Sequence, residues 1–436
     1  MLGGTVQMMF DFSLRNILIW LVLFGGISVL QMLFMPQLMG LQSYFAIRSA
    51  KKSLKKLGNW SESSKKTALE KITGYGKSPS DVKDELENFL EFFTIEPVSE
   101  DPSGVLDRLE HLLDVRKTRY EEATRRLAPG ADEEELADLE MTVEGAASSY
   151  TVYKLVRHYI AVAEKTQSMQ LAQLLQMQMP MLEKMAEAYN NATEAFADGK
   201  AIGDGIGSLV AGKLIGESEV EEKIKDTVYA ETEIEGRQAF VIKAKGPGGR
   251  VGKPGELVKE LSRKWTPGRI IMVDAGLKLE GEESGKVVEG VGAAIGGPPT
   301  EKYKIEEIAR KGDIPVDAVV VKVGLKEAIT PMSKSLSESA DKTVEKLKGA
   351  IRNRTEMGDT VFVAGIGNTV GVGQSPEEIP TEFPEMKKEE DELESFTSLP
   401  GMGSFLEKLG LTSYHLLRGA TVFDSGIWRG ELKWGR

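Results

Sequence analysis

The chain has no cysteine and only three histidines, His111, His158 and His415, among its 436 residues. The absence of cysteine excludes disulfides, thiolate metal sites and cysteine nucleophiles. The scarcity of histidine leaves carboxylates as the main candidates for metal binding and acid–base chemistry. Positive charge is also in short supply, because 55 lysines and arginines face 67 acidic residues, for a net charge of −12. Since general nucleic-acid binding requires a basic surface, nucleic acid is not an expected partner.

One uncharged apolar run stands out near the start, Asn16 to Met35, "NILIWLVLFGGISVLQMLFM". Its 20 residues are enough to cross a bilayer as a helix, so residues 14–37 are predicted to form a single transmembrane helix. A cleaved signal peptide is the alternative, but no basic segment precedes the run and "MPQLMG" is a poor cleavage site. Residues 48–77 carry nine lysines and arginines and only two glutamates. The positive-inside rule therefore predicts a cell-membrane protein with its bulk in the cytoplasm and anionic lipid at its flank.

Residues 38–196 have the apolar periodicity of helices. "SPSDVKDELENFLEFF" predicts a helix with Ser80 as its N-cap. The methionine cluster "MQMPMLEKM" (Met177–Met185) is typical of core or oligomer packing. Pro180 is expected to kink or divide its helix. Helices of this kind beside a membrane anchor favour a homo-oligomer.

Residues 197–375 alternate short β-branched runs with helical stretches, which predicts an α/β domain with a mainly parallel sheet flanked by helices. The remaining 376–436 form an acidic linker and a tail expected to dock through Trp428 and Trp434. The predicted strands are "TVYAETEI" (Thr227–Ile234), "QAFVIKA" (Gln238–Ala244), "RIIMVDAG" (Arg269–Gly276), "DAVVVKVG" (Asp317–Gly324) and "TVFVAG" (Thr360–Gly365).

Two acids occupy positions where ligands collect in an open parallel sheet, namely strand ends and the loops that follow them. Asp274 ends a predicted strand, and Asp204 precedes a predicted helix in "AIGDGIGSLVAG". Together they could share a proton, polarise a water or hold a divalent metal. Alone, each is equally typical of a turn or cap residue. Glutamates at 280, 282 and 283 are further oxygen ligands or ordinary surface charges.

A second candidate is the glycine-rich loop Lys243–Glu256, "KAKGPGGRVGKPGE". Its glycines let backbone N–H groups converge, and Arg250 and Lys253 add positive charge, so the loop could bind an anion. It could also form a flexible lid over the strand ends. The spacing is not that of a P-loop, which argues against nucleotide hydrolysis.

Three segments resemble hydrogenase-maturation endopeptidases and spore-germination proteases: "GDGIGSLVAGKL", "IIMVDAG" and "VFVAGIGNT". The resemblance implies that Asp204 and Asp274 are the acid pair and that two glycine loops support them. Those loops contribute Gly203, Gly205, Gly207, Gly365, Gly367 and Asn368. In those families the GxGN strand comes first, whereas here it comes last, which suggests a circular permutation. Their metal-binding members also use a histidine, and none occurs between 197 and 374.

The whole chain is similar to an archaeal family of conserved membrane-associated proteins of unknown function. This resemblance rests on the anchor with "FMPQLMGLQ", "ENFLEFFTIEPV", "RLEHLLDVR" and "VDAGLKLEGEESGKVVEGVGAAIGGP". The lack of cysteine and the many charged residues fit a thermophile. Three functions stay open: a membrane-anchored homo-oligomer whose protease-like domain is of uncertain activity, an active membrane-bound peptidase using Asp204 and Asp274, and a sensor of a small ligand or anion.

Overall fold

The computed structural model describes residues 14–94, 104–279, 281–296 and 299–385. Within residues 14–39 the helical backbone is described throughout, but exposure to solvent is described only for Phe24 and Gly25. The predicted tail with its two tryptophans lies outside the described residues, as do the side chains on which the anchor prediction depends. Among the residues that the structure does describe, no helix is long and apolar enough to span a membrane.

The first part of the chain is entirely helical in its described residues, which confirms the all-α prediction. Its helices are α1 (Leu14–Thr73), α2 (Pro79–Phe89), α3 (Val105–Leu127), α4 (Glu133–Thr166) and α5 (Met169–Ala197).

One local prediction in this region is wrong, and of the two effects expected of Pro180 one, division of its helix, is not seen. The N-cap of α2 is Ser78, not Ser80, because the Ser78 hydroxyl accepts the backbone N–H of Asp81 and Pro79 fills the first helical position. Pro180 lies inside α5 without dividing it. Three of the four methionines around it, Met179, Met181 and Met185, are buried, in keeping with core packing.

The chain separates into two compact units. The first comprises residues up to 56 together with 155–180, and the second comprises 57–154 and 181 onward. In the first unit α1 buries a stripe of small residues at helical spacing, Ser43, Ala46, Ala50 and Ser53. Lys51 of α1 forms an ion pair with Glu164 of α4 at 2.5 Å.

The second unit contains the sheet, in the order β1-β2-β3-β7-β4-β6-β5. The central strands β3, β7, β4 and β6 run parallel, whereas β1–β2, β2–β3 and β5–β6 pair antiparallel. The strands are β1 (Val220–Ile224), β2 (Thr227–Ile234), β3 (Arg237–Ala244), β4 (Arg269–Leu277), β5 (Val287–Val291), β6 (Val316–Val323) and β7 (Thr360–Gly365).

All five predicted strands are confirmed within one or two residues. The parallel arrangement holds for the centre of the sheet only. The outer strands β1 and β5 were not predicted, because both are short and mostly exposed, with no continuous apolar run.

Helices cover both faces of this sheet. The remaining ones are α6 (Ile206–Ile215), α7 (Pro254–Leu261), α8 (Pro299–Gly312), α9 (Leu325–Ile329) and α10 (Lys334–Arg354). On one face, Phe240, Met272 and Phe362 pack with Leu257 of α7 and Ile305 of α8. On the other face, α6 packs against β3, β4 and β7. Successive residues of a strand point to opposite faces of the sheet. Because helices cover both faces, the central strands are apolar along their whole length.

The helical segments of the second unit have their own core. Residues from α1, α2, α3 and α4 form one buried cluster that includes Ile72, Leu86, Leu127 and Leu139. Contacts between α3 and α8 then join this helical layer to the sheet domain. At that junction Lys304 of α8 forms ion pairs with Glu110 at 2.6 Å and with Glu256 at 2.9 Å.

Candidate functional site

The parallel strands β3, β4 and β7 end at one edge of the sheet, which is where the sequence predicts the candidate site. We call this the carboxyl edge. It consists of the loops that follow these strands together with the 3₁₀ turn Gly203–Gly205, which leads into α6.

Asp204 lies in that turn and is 3% exposed. Its Oδ2 accepts the backbone N–H of Asn368 at 2.9 Å. The hydroxyl of Ser208, in the first turn of α6, donates to the carbonyl of Gly367 at 2.9 Å. The turn and the loop after β7 therefore lie side by side. This agrees with the expectation that the last strand inserts beside the Asp204 loop.

Glycine is what permits this approach. A Cβ on Gly367, whose φ is +131°, would lie 2.0 Å from the carbonyl oxygen of Asp204. A Cβ on Gly365 would lie 2.3 Å from the carbonyl of Gly207, and one on Gly207 would lie 2.2 Å from that of Ile366. These glycines were named from the sequence, and their role in the structure is close backbone packing.

Gly203 and Gly205, in the turn that carries Asp204, lie equally close to neighbouring backbone. A Cβ on Gly203 would meet the carbonyl oxygen of Glu327 in α9 at 2.2 Å, and one on Gly205 would meet that of Asn368 at 2.8 Å. The turn that carries Asp204 is therefore enclosed by backbone on two sides.

Asp274 of β4 is 2% exposed. Its Oδ1 accepts the backbone N–H of Ala275 at 2.7 Å, and its Oδ2 accepts that of Gly296 at 2.9 Å. Alternation along the strand places Asp274 on the same face as Met272, which packs with α7 and α8. The turn of Asp204, by contrast, leads into α6 on the opposite face. The two acids share an edge, but each carboxylate is bound by a different set of backbone amides.

The carboxyl edge is covered by helix α4, a feature that the sequence did not predict. The side-chain amide of Asn368, which is 1% exposed, donates to the sulfur of Met141 at 3.3 Å. The Oδ1 of Asp138 accepts the backbone N–H of Gly249 at 2.7 Å. Ala137 also approaches the backbone of this loop. Burial raises the pKa of Asp138 to about 7.

The loop after β3 is locked to the loop after β7. The hydroxyl of Thr369 donates to the carbonyl of Gly248 at 2.8 Å. The backbone N–H of Thr369 donates to the carbonyl of Arg250 at 2.9 Å. The N–H of Gly371 donates to the carbonyl of Pro247 at 2.7 Å. These hydrogen bonds hold the loop in place, which argues against the flexible lid that the sequence left open as an alternative.

The two cations of the glycine-rich loop are engaged separately. Lys253 forms an ion pair with Asp114 of α3 at 2.7 Å. Arg250 forms an ion pair with Asp226 at 3.1 Å through Nε and donates from Nη2 to the carbonyl of Glu133 at 2.7 Å. The structure therefore does not bring Arg250 and Lys253 together on one anion, and each faces helical segments of the same unit.

The described residues contain no group of three or more carboxylates or imidazoles placed to hold a metal ion. Of the alternative oxygen ligands, Glu282 forms an ion pair with Lys322 at 3.1 Å and accepts the N–H of Leu279. Those contacts hold the pKa of Glu282 below its usual value, chiefly through the Leu279 hydrogen bond. Glu280 lies outside the described residues.

Lys243, the one lysine of β3 and fully buried, was not predicted from the sequence to have a role. Its ammonium donates to the carbonyls of Gly373 at 3.0 Å and Val372 at 3.4 Å. Burial lowers the pKa of Lys243 to about 7. The available signal was its position within the apolar strand "QAFVIKA", where a lysine is rarely fully buried.

Comparison with known families gives two matches. A model of the DUF1512 N-terminal domain, described as a protein of unknown function, matches residues 22–199, and one of the DUF1512 C-terminal domain, also of unknown function, matches residues 202–373. No curated protein matches the chain. The two domains follow in order and together cover most of the sequence, so the chain belongs to the DUF1512 family.

Proposed function

We propose that this protein is a membrane-anchored, cytoplasm-facing assembly protein that forms a homo-oligomer, and that its α/β domain is a scaffold without hydrolase activity. The observation that carries the proposal is the filled carboxyl edge. Met141 and Asp138 of α4 contact the loops where a substrate of a protease-like domain would bind. A hydrolase of this kind needs an open cleft at that edge.

The chemistry of the two acids supports the same conclusion. Asp204 and Asp274 are almost completely buried, and both accept backbone N–H groups from neighbouring residues, Asn368 for Asp204 and Ala275 and Gly296 for Asp274. A general base must reach the proton that it abstracts within hydrogen-bonding distance. The carboxylates of Asp204 and Asp274 instead accept backbone N–H groups, so their contribution is to the stability of the carboxyl edge.

The membrane part of the proposal rests on α1. Tyr44 and Phe45, 59% and 61% exposed, follow the apolar run in the same helix. Aromatic side chains are enriched at the boundary between bilayer and water, and basic residues interact with anionic headgroups beyond it. The exposed basic residues that come next on α1 are Arg48, Lys51, Lys52, Lys55 and Lys56.

The homo-oligomer is supported by apolar exposure in the same unit. Leu174 and Met177, three residues apart and therefore on one face of α5, are both exposed. Met177 belongs to the methionine cluster whose other members are buried, and a flexible thioether suits an adaptable contact. A second copy held in the same membrane is the partner that this face fits.

The absence of cysteine makes these proposals straightforward to test, because any introduced thiol is the only one in the chain. In cells, Lys55→Cys should react with a membrane-impermeant maleimide only after lysis. The protein should stay with membranes through alkaline carbonate extraction. Release into the soluble fraction, or labelling of intact cells, would contradict the anchor or its orientation. Met177→Cys tests the oligomer, since oxidation should yield a disulfide-linked dimer, whereas the exposed control Lys213→Cys should not.

An active peptidase is the second candidate, favoured by the apposition of the Asp204 turn and the Asn368 loop that the circular permutation predicts. It requires that α4 move away from the edge. Peptidase assays on full-length protein and on Met141→Gly, which removes the side chain against Asn368, should detect no cleavage if the domain is a scaffold. Cleavage that is lost in both Asp204→Asn and Asp274→Asn would favour the peptidase.

A further inference from the structure

A small cavity of about 90 Å³ lies between α3, α4, the turn after β1 and the glycine-rich loop. It is separate from the contacts between Asp204 and Asn368 described above. Charged side chains dominate its lining: Arg116, Lys117, Arg125, Lys225 and Arg250, with Glu121, Glu133, Glu140, Glu144 and Asp226.

Arg250 reaches this cavity from the glycine-rich loop, with 11% of its side chain exposed. Its Nε and Nη2 are bound to Asp226 and to the carbonyl of Glu133. Its Nη1 is buried and has no hydrogen-bond partner among the described residues. A buried donor without a partner is costly, and a charged one particularly so, which makes this nitrogen a ready donor for an acceptor in the cavity.

The other acids of the lining are held by bases. Glu144 pairs with Arg116 at 2.5 Å, and Glu133 with Arg125 at 3.0 Å. Both carboxylate oxygens of Glu121 accept hydrogen bonds from Lys225 at 2.9 Å. Asp226 forms ion pairs with Lys117 and with Arg250. A cation would have to displace these bases to reach the carboxylates.

Glu140 is the exception, because within the described residues no hydrogen bond or ion pair is made by its carboxyl group. Burial, together with the nearby carboxylates of Glu121 and Asp226, raises the pKa of Glu140 to about 8, although Lys117 and Arg250 oppose the shift. At neutral pH Glu140 is therefore mainly protonated and offers an O–H donor. The other four acids then face five bases, which leaves one positive charge in excess.

We propose that this cavity binds a tetrahedral oxyanion the size of phosphate or sulfate, with Arg250 Nη1 as its charged donor and the carboxyl group of Glu140 beside it. The volume exceeds several-fold the roughly 10–15 Å³ that one water molecule requires, so it admits an ion of five heavy atoms. Charge-assisted bonds from a guanidinium suit such an ion. The anion can be free or the terminal group of a larger molecule.

The site goes beyond the proposed assembly function and gives the glycine-rich loop a ligand. Binding would join α3 and α4 to the sheet domain, because Arg250 lies on the loop while Glu140 and Arg116 lie on those helices. A ligand that binds only the folded protein stabilises it by mass action. An oxyanion would therefore strengthen the cover that α4 forms over the carboxyl edge.

Isothermal titration calorimetry of the full chain with inorganic phosphate at pH 7 and constant ionic strength tests the proposal. Saturable binding is expected with one ion per chain. Arg250→Gln should weaken it about tenfold or more, the effect of losing one charge-assisted hydrogen bond. Lys253→Gln, in the same loop but outside the cavity, should bind as the unaltered protein does. Glycerol 3-phosphate titrated in parallel distinguishes the two sources, since equal or tighter binding indicates a monoester.

Glu140→Gln provides a second variant in case Arg250→Gln does not fold. Sulfate serves as the probe here, because its charge is constant between pH 6 and 9. The unaltered protein should lose affinity above pH 8 as Glu140 ionises. Glu140→Gln, whose amide still donates, should retain it. The proposal is overturned if neither anion binds saturably, if Arg250→Gln binds normally, or if both proteins show the same pH profile.

Discussion

The backbone N–H of Asn368 donates to the carboxylate of Asp204 at 2.9 Å, joining residues 164 positions apart in the chain. Through this bond the loop after β7 is tied to the turn before α6. A carboxylate at the start of a helix also interacts favourably with the helix dipole. Asp204 thus has a structural role that needs no substrate.

Replacing Asp204 by alanine should destabilise the fold by about 1–3 kcal/mol, because the buried N–H of Asn368 loses its acceptor. Asp204→Asn, which retains an oxygen at the same place, should lose less. Urea unfolding followed by circular dichroism gives both values.

The matched control is Asp198→Ala, since Asp198 is exposed and forms an ion pair with Lys200, which is exposed as well. Its effect should stay within about 0.5 kcal/mol. An Asp204→Ala protein as stable as this control would show that the bond contributes nothing to the edge.

Gly367 tests the close approach of the two loops. Alanine there should cost more than about 3 kcal/mol, because its Cβ would lie 2.0 Å from the Asp204 carbonyl in a backbone conformation that favours glycine. Thermal and urea unfolding measure the loss.

Gly349→Ala in α10 serves as the comparison. An added Cβ there meets no atom within 4 Å, and alanine is the better helix former, so stability should rise by up to about 1 kcal/mol. Equal effects at both positions would mean that the loops separate readily.

Much of this architecture is contained in the local pattern of the sequence. The central strands are apolar for their whole length, and the Asp204 turn and the Asn368 loop carry the glycines that close packing demands. Those signals were enough to predict the α/β domain. The expectation that the last strand lies beside the Asp204 loop was instead implied by the resemblance to hydrogenase-maturation endopeptidases and spore-germination proteases. The position of β7 between β3 and β4 agrees with that expectation.

The cover over the edge could not be predicted in the same way. Met141 and Asp138 belong to a helix whose pattern specifies only which face is buried, not what it is buried against. Likewise, β1 and β5 obtain their stability from pairing with a neighbouring strand and not from an apolar run. Such features depend on contacts between distant segments, which one sequence does not reveal.

Asp138 makes the cover sensitive to pH. The folded protein raises the pKa of Asp138 to about 7, so it retains a proton that the unfolded chain loses near pH 4. The stability that this group contributes is therefore full below pH 4 and is lost as the pH rises to 7.

Asp138→Asn removes this titration and keeps an oxygen for the N–H of Gly249. Relative to the unaltered protein, the variant should gain unfolding free energy between pH 5 and pH 8. Urea titrations at those two values measure the difference, and a difference that does not change with pH would contradict the shift.

Lys243 titrates in the opposite sense. Its pKa falls to about 7 in the fold, whereas the unfolded chain keeps its proton up to about pH 10.5. The folded state therefore binds fewer protons between these values, and this lysine makes the protein more stable as the pH rises from 7 towards 10. Lys243→Met fills the same space without a charge and should abolish this rise, so that its stability relative to the unaltered protein is greatest at low pH.

Lys245→Met, which removes a partly exposed lysine paired with Glu222, should leave the rise in place. Unfolding free energies at pH 6.5 and 9.5 decide the matter, because parallel behaviour of the two variants would mean that the Lys243 ammonium is as well solvated as a surface one.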